Sequence, residues 1–232
     1  MKKNKSKIKL FIKPLFAALF AVTAFGCGED VITPQDNLNF SVVSSGDSIG
    51  DNNDVLILEE VKLLIKDIKL NVASSNPDSV NFKVGPYVLY LDLSSEINLV
   101  GTAYIPPGTY DKVRFMVHKP RGNETPPDPE FTDESGRYSV IVRGTFNTIP
   151  FIYKSDKSAH QKLTFPGSLQ VSPSGKTNIT LMVRPYIWFI KNGAYLDPMN
   201  PDNENDIDNN IKDNINNNFK IFTDDNRNGE PD

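Results

Sequence analysis

The side chains able to do chemistry in this 232-residue chain are few and widely spaced. There is one cysteine, Cys27, and there are two histidines, His118 and His160. A lone thiol forms no intramolecular disulfide, so Cys27 is open to another covalent fate. Two histidines are too few for a histidine-rich metal centre. His118 is expected on an exposed strand face, and His160 in a Ser/Lys-rich turn. A hydrolase needs a nucleophile beside a base, paired carboxylates, or a metal with an open position. No phosphate loop or dinucleotide fingerprint is present either. The expectation is therefore a protein that is not an enzyme, with an unrecognised hydrolase as an alternative.

Oxygen side chains recur at the C-terminus: Asp224, Asn226 and Asn228, then Gly229, then Asp232. Alternate residues can turn their oxygens to one side, glycine permits the sharp turn, and calcium takes 6–8 oxygens. The spacing resembles the start of calcium loops in EF-hand, dockerin and thrombospondin-type repeats, without the terminal bidentate glutamate. A solvated acidic tail is the plainer reading, and a calcium site at Asp224, Asn226, Asn228 and Asp232 is the alternative to it.

The N-terminus explains Cys27. Lys2, Lys3, Lys5, Lys7, Lys9 and Lys13 form a basic head, and an apolar run from Leu15 to Phe25 follows, broken only by Thr23. That run is about half of the ~20 residues a membrane-spanning helix needs, so it reads as the core of a signal peptide. Thr23-Ala24-Phe25-Gly26-Cys27 resembles the lipobox of bacterial lipoproteins, although Ala24-Phe25 stands where leucine and a small residue are usual. The resemblance implies cleavage before Cys27, lipid on its thiol, and a membrane anchor of several acyl chains. Glu29 and Asp30 resemble a surface-export signal, leaving both faces of an outer membrane open. Without the six leader lysines, 19 basic residues face 29 acidic ones, a net charge of −10 over 206 residues. Such a balance argues against nucleic acid and anionic lipid headgroups as partners, and suits cations and neutral glycans.

These candidates must be held by what lies between. Residues 1–26 are read as the signal peptide and 27–37 as a lipidated tether. Residues 38–190 are read as a β-sandwich domain and 191–232 as a C-terminal helix with an acidic Asp/Asn-rich tail. Val61, Leu63 and Ile65, then Ile68, Leu70 and Val72, alternate with a phase change near Lys66-Asp67, which a β-bulge would produce. Tyr87–Leu93, Tyr110–His118, Tyr138–Val142, Ile149–Tyr153, Lys162–Val171 and Lys176–Phe189 complete the strands, with Val113, Phe115 and Val117 sharing one face. Pro173-Ser174-Gly175 predicts a hairpin between the last two. The proline-rich insertion 121–136 is expected to be a surface loop with no reactive cluster.

Leu91-Asp92-Leu93, Leu99-Val100-Gly101 and Ile105–Phe115 with its Pro-Gly-Thr-Tyr turn resemble a domain of unknown function in uncharacterised bacterial lipoproteins. Gly167-Ser168-Leu169 and Thr177–Leu181 are similar to the end of the same domain. The resemblance implies an antiparallel, prealbumin-like or carboxypeptidase-regulatory-like β-sandwich over about residues 38–190, and no chemistry. Ile207, Ile211, Ile215 and Phe219 recur every fourth residue behind an acidic start, which predicts an amphipathic helix within 203–222. Two roles remain: a binding or adhesion module for glycan or protein, or a structural envelope lipoprotein holding a partner. Tyr186, Trp188 and Tyr195 would serve the first if exposed.

Overall fold

The computed structural model describes residues 35–44, 46, 48–50, 54–73, 79–213 and 218–232. The leader, Cys27, most of the tether, and Ile215 of the predicted stripe lie outside them. The organising element is an 18-residue strand. After β1 (Leu38–Ser44) and the short β2 (Ser48–Gly50), β3 runs unbroken from Val55 to Val72. Its residues in the main core are Leu56 and Leu58, then Val61, Leu63 and Ile65, then Ile68 and Leu70. Each change of phase coincides with a shift of register: between Leu58 and Glu60 against one neighbour, and beyond Ile65 against two others. One extra residue flips the parity of a strand, so each bulge returns the next apolar set to the same core. The predicted bulge near Lys66-Asp67 is present, and a second precedes it.

The strands that follow are β4 (Ser79–Leu91), β5 (Asn98–Ala103) and β6 (Gly108–Val117). Next come the two-residue pair β7 (Thr132–Asp133) and β8 (Gly136–Arg137), then β9 (Val140–Phe146), β10 (Ile149–Ser155) and β11 (Ala159–Val171). After β12 (Thr177–Val183) come the pair β13 (Ile190–Lys191) and β14 (Ala194–Tyr195), helix α1 (Glu204–Asp213) and β15 (Phe219–Thr223). One sheet has the order β10-β9-β3-β6-β11, with β2 and β4 also on β3; the other has the order β15-β12-β1-β5. Buried residues of both sheets, among them Phe40, Leu63, Phe115, Leu163, Leu181 and Phe219, form one hydrophobic cluster. The protein is mainly β, with several largely antiparallel sheets, consistent with a β-sandwich.

Four expectations are corrected. The antiparallel pattern has an exception, because β1 lies parallel to β12. A parallel partner needs a crossover, and here nearly the whole domain supplies it. Pro173-Ser174-Gly175 makes no hairpin: β11 pairs with β6 and β12 with β1 and β15, so the turn hands the chain from one sheet to the other. The strand predicted over Lys176–Phe189 ends at Val183, where Pro185 opens a 3-10 turn that buries Trp188 and Phe189. The helical stripe expected to reach Phe222 is α1 only as far as Asp213, with Ile207 and Ile211 buried. Phe219 and Ile221 are buried around exposed Lys220 as strand residues of β15, so the fourth-residue spacing of Phe219 belongs to a different element.

The insertion 121–136 is not a bare surface loop. A 3-10 turn, Pro129–Phe131, places the fully buried Phe131 against Leu64 and Ile141, a small second core on the outer face of β3. Leu64 joins two neighbours there: its N–H donates to Ser139 O at 2.9 Å, and its carbonyl accepts from His118 N–H at 2.8 Å. The strands β9 and β6 thus follow one another along one edge of β3.

Candidate functional site

A concave surface bordered by two strand edges lies between β4 and β5. Among the described residues, strand β4 pairs only with β3, and β5 only with β1, so each keeps an edge without a ladder partner there. Unpaired edges attract another chain, and proteins blunt them with bulges, prolines and lysines. All three devices occur in β4: Gly85 at φ 122° and Pro86 fall where the register slips, and Lys83 lies beside them. The Lys83 ammonium sits 4.2 Å from the centre of the Tyr87 ring and donates to Val100 O at 3.5 Å, bridging the two edges. The groove they border, lined also by Tyr90, Leu99 and Val42, encloses about 460 Å³. Tyr90 and Leu99 are 54% and 51% exposed, unusual for large apolar side chains on one rim. The Tyr87 hydroxyl is buried without a hydrogen-bond partner, and burial, with the charge of Asp67, pushes its pKa up. Tyr87 therefore stays a neutral donor at any physiological pH.

Tyr90 connects this groove to a charged cluster that the sequence reading did not anticipate. Its hydroxyl donates to Asp128 at 3.1 Å, and Lys62, its cross-strand partner, lies 5.3 Å from its ring centre. Lys62 is buried and donates to Asp128 at 3.0 Å and Glu130 at 2.9 Å, with Glu60 at 3.1 Å. Arg143 closes the network onto Glu130 at 3.0 Å and onto Glu60. Burial alone would lower the pKa of the Lys62 ammonium, but the three carboxylates outweigh it and the net shift is upward. Burial likewise opposes ionisation of Asp128, yet the Glu130 N–H, Lys62 and Tyr90 together hold its carboxyl below the usual range. Asp128 and Glu130 sit in the 121–136 insertion, distant from Lys62 in the chain, whereas Glu60 belongs to β3 itself. The cluster pins the insertion to the sheet and orients Tyr90 at the groove rim.

The C-terminal oxygens are also brought together, but mainly onto main-chain donors. Asp224 is fully buried, and its carboxylate accepts from the Thr180 hydroxyl at 2.8 Å and from the N–H groups of Asn228 at 2.9 Å and Gly229 at 3.1 Å. Asn226 Oδ1 accepts from Asn228 N–H, Asn228 Oδ1 from Glu230 N–H, and Asp232 Oδ2 from Asp225 N–H at 2.6 Å. Asp225 accepts from Asn178 N–H, and Gly229, at φ 82°, packs on Ile97 and Val43. The segment lies over the outer face of the β12–β1 pair and shields Asn39, Ser41 and Thr180, which are buried polar residues there. Among the described residues, no three His, Cys, Asp or Glu side chains converge as a metal site.

Other expected residues fall elsewhere. His118 is buried, not exposed, and its Nε2 meets both carboxylate oxygens of Glu124, at 2.9 and 2.7 Å. His160 lies exposed in β11 rather than in a turn. Trp188 is wholly buried and Tyr186 and Tyr195 are partly so, packed on the main core, so the three form no exposed strip. Gly46-Asp47-Ser48-Ile49-Gly50 has the Gly-x-Ser-x-Gly form of a hydrolase nucleophile elbow. The chemistry needs that serine on a sharp strand-to-helix turn. Ser48 instead opens β2, paired antiparallel with β3 at Ile57. Among the described residues no helix is long and apolar enough to cross a membrane.

No family model matches the chain, and no curated protein matches it. Among solved structures, MbnP from Methylosinus trichosporium is similar over 71% of this chain and 84% of its own, at 13% identity and a TM-score of 0.40. A likeness at that level carries no activity from one chain to the other.

Proposed function

We propose that this chain is a bacterial cell-envelope lipoprotein whose prealbumin-like β-sandwich is a non-catalytic binding module. Its lipid is attached at Cys27, and its ligand is an extended segment of a partner protein seated between β4 and β5. The observation that supports this reading is the groove itself: two strand edges without ladder partners among the described residues border a concave, partly apolar surface. An extended peptide added to such an edge satisfies its own main chain on the sheet, while flanking pockets select its side chains. Tyr90 and Leu99 offer apolar surface, and Lys83 guards the entrance until it is displaced. A structural role in an envelope assembly would use the same groove permanently rather than reversibly.

A photo-crosslinking side chain at Leu99 is expected to give one discrete protein adduct in intact cells. The same group at Ile149, exposed at the far side of the larger sheet, should give none. Loss of the adduct in a Tyr90→Ser, Val100→Pro background would tie it to the groove. Equal labelling from both positions would remove the groove from consideration. Protease shaving of the same cells then separates a surface adhesion module from a periplasmic assembly component.

The anchor has its own test. Cys27→Ser should abolish incorporation of a labelled fatty acid and leave the precursor uncleaved at that junction. Label that persists in the serine variant would sink the lipoprotein assignment.

A further inference from the structure

The chain beyond its leader is strongly acidic, yet its cations are not evenly spread. On the outer face of the larger sheet, Lys69 of β3 stands opposite Arg114 of β6, and Arg114 stands opposite Lys162 of β11. Their neighbours along each strand, Ile68, Leu70, Val113, Phe115 and Leu163, point into the core, so the three cations share one solvent face. Directly opposed side chains sit roughly 5 Å apart, and like charges at that spacing destabilise a sheet. Lys69 has a carboxylate neighbour, Asp67, at 3.5 Å. Arg114 and Lys162 have no side-chain hydrogen bond or ion pair among the described residues. Lys66 and exposed His160 border the same depression, which encloses about 470 Å³. Four permanent cations thus line a pocket with one carboxylate, Asp67, while Glu124 outside it acts on Lys66 alone of the four, on a protein whose overall charge has the opposite sign.

We infer that this pocket is a binding site for a phosphate-bearing anion, with Arg114 and Lys162 as its principal donors. A row of like charges held at a cost to the sheet, two of them without an ion-pair partner among the described residues, is stabilised when a multiply charged oxyanion enters between them. The planar Arg114 guanidinium suits two oxygens of such a group, and the lysines supply point charges on either side. The net acidity does not prevent this, because a local field inside a depression governs capture of a small ion. The site is separate from the β4–β5 groove and does not depend on it. The phosphate can come from a soluble compound or from a lipid headgroup of the membrane to which the chain is proposed to be anchored.

The test uses the full chain in zwitterionic micelles and inorganic pyrophosphate, at constant ionic strength. Calorimetry is expected to show saturable binding, and the melting temperature should rise with pyrophosphate. Arg114→Gln with Lys162→Gln should weaken that binding at least about tenfold, the scale of one lost charge-assisted contact. Without the anion, the double variant should melt at or above the wild type, since the like-charge row is relieved. Sodium chloride reproducing the rise at matched ionic strength would reduce the effect to screening and overturn the site. Wild-type affinity in the double variant, or an anion-free melt well below the wild type, would overturn it too. Micelles doped with phosphatidic acid assign the source: competition with pyrophosphate points to a lipid headgroup, and its absence to a soluble phosphate.

Discussion

Replacing Gly144 with alanine is expected to destabilise the protein by about 3 kcal/mol or more, beyond the ordinary range for overpacking. A Cβ at this position would lie 2.0 Å from Ile57 O and 3.1 Å from Ile57 C and Leu58 Cα. All three obstacles are main-chain atoms, so no rotamer change relieves the clash. The reason lies in the bulge beside it. Gly144 of β9 pairs with Leu58, and the register of β3 slips immediately afterwards, between Leu58 and Glu60. The extra residue bends β3 onto β9, and only a residue without a side chain fits beneath it. For a domain of this size the loss corresponds to a drop in melting temperature of roughly 6–12 °C. Gly101→Ala is the control. It is also a strand residue, opposite Phe40, but a Cβ there meets nothing within 4 Å. Its melting temperature should stay close to that of the wild type or rise slightly, because alanine loses less backbone entropy on folding. Similar behaviour of the two variants would refute the close approach at Gly144.

Asp224→Ala is expected to destabilise by about 3 kcal/mol even in the presence of a chelator. The substitution leaves the Thr180 hydroxyl and the N–H groups of Asn228 and Gly229 without their acceptor under a buried segment. Unsatisfied buried donors cost about 1–3 kcal/mol each, and partial relaxation or water entry keeps the total near the upper end of one such term. Chemical denaturation in chelator separates this role from that of a metal ligand. If Asp224 served only calcium, the variant and the wild type would unfold together once calcium is removed. A further rise in wild-type melting temperature at millimolar calcium, absent in Asp224→Ala with Asn228→Ala, would add a metal to the structural role.

Much of the sheet was legible because strand burial has a period of two. Val113, Phe115 and Val117 alternate with Arg114 and Met116, and the structure buries the first set. The phase change near Lys66 was equally legible, since a bulge must leave a parity fault in the sequence. The histidines were misplaced for a related reason. His118 follows the last residue of β6, where alternation no longer dictates the face, and Glu124 from the insertion draws it inward. The helical stripe over 203–222 misled because four residues is also two strand periods. Phe219 satisfies both patterns, and only pairing with β12 decides between them.

The candidate sites divide in the same way. Cys27 and its leader are local signals, expressed in consecutive residues, so the sequence by itself determined the lipoprotein expectation. It likewise determined that the core is built from alternating strands and that the C-terminal oxygens stand at alternate positions. Only the tertiary structure decided which strands are neighbours, and the sites built on the sheets depend on that choice. The β4–β5 groove exists because two strands from different sheets leave their edges side by side. The Lys62 cluster joins β3 and β9 to an insertion that composition marked only as polar. The cationic row joins Lys69, Arg114 and Lys162 from three strands of a chain with net negative charge. Hydrophobic periodicity records which face of a strand is buried, whereas register and strand order arise from long-range pairing energies that leave no local trace in the sequence.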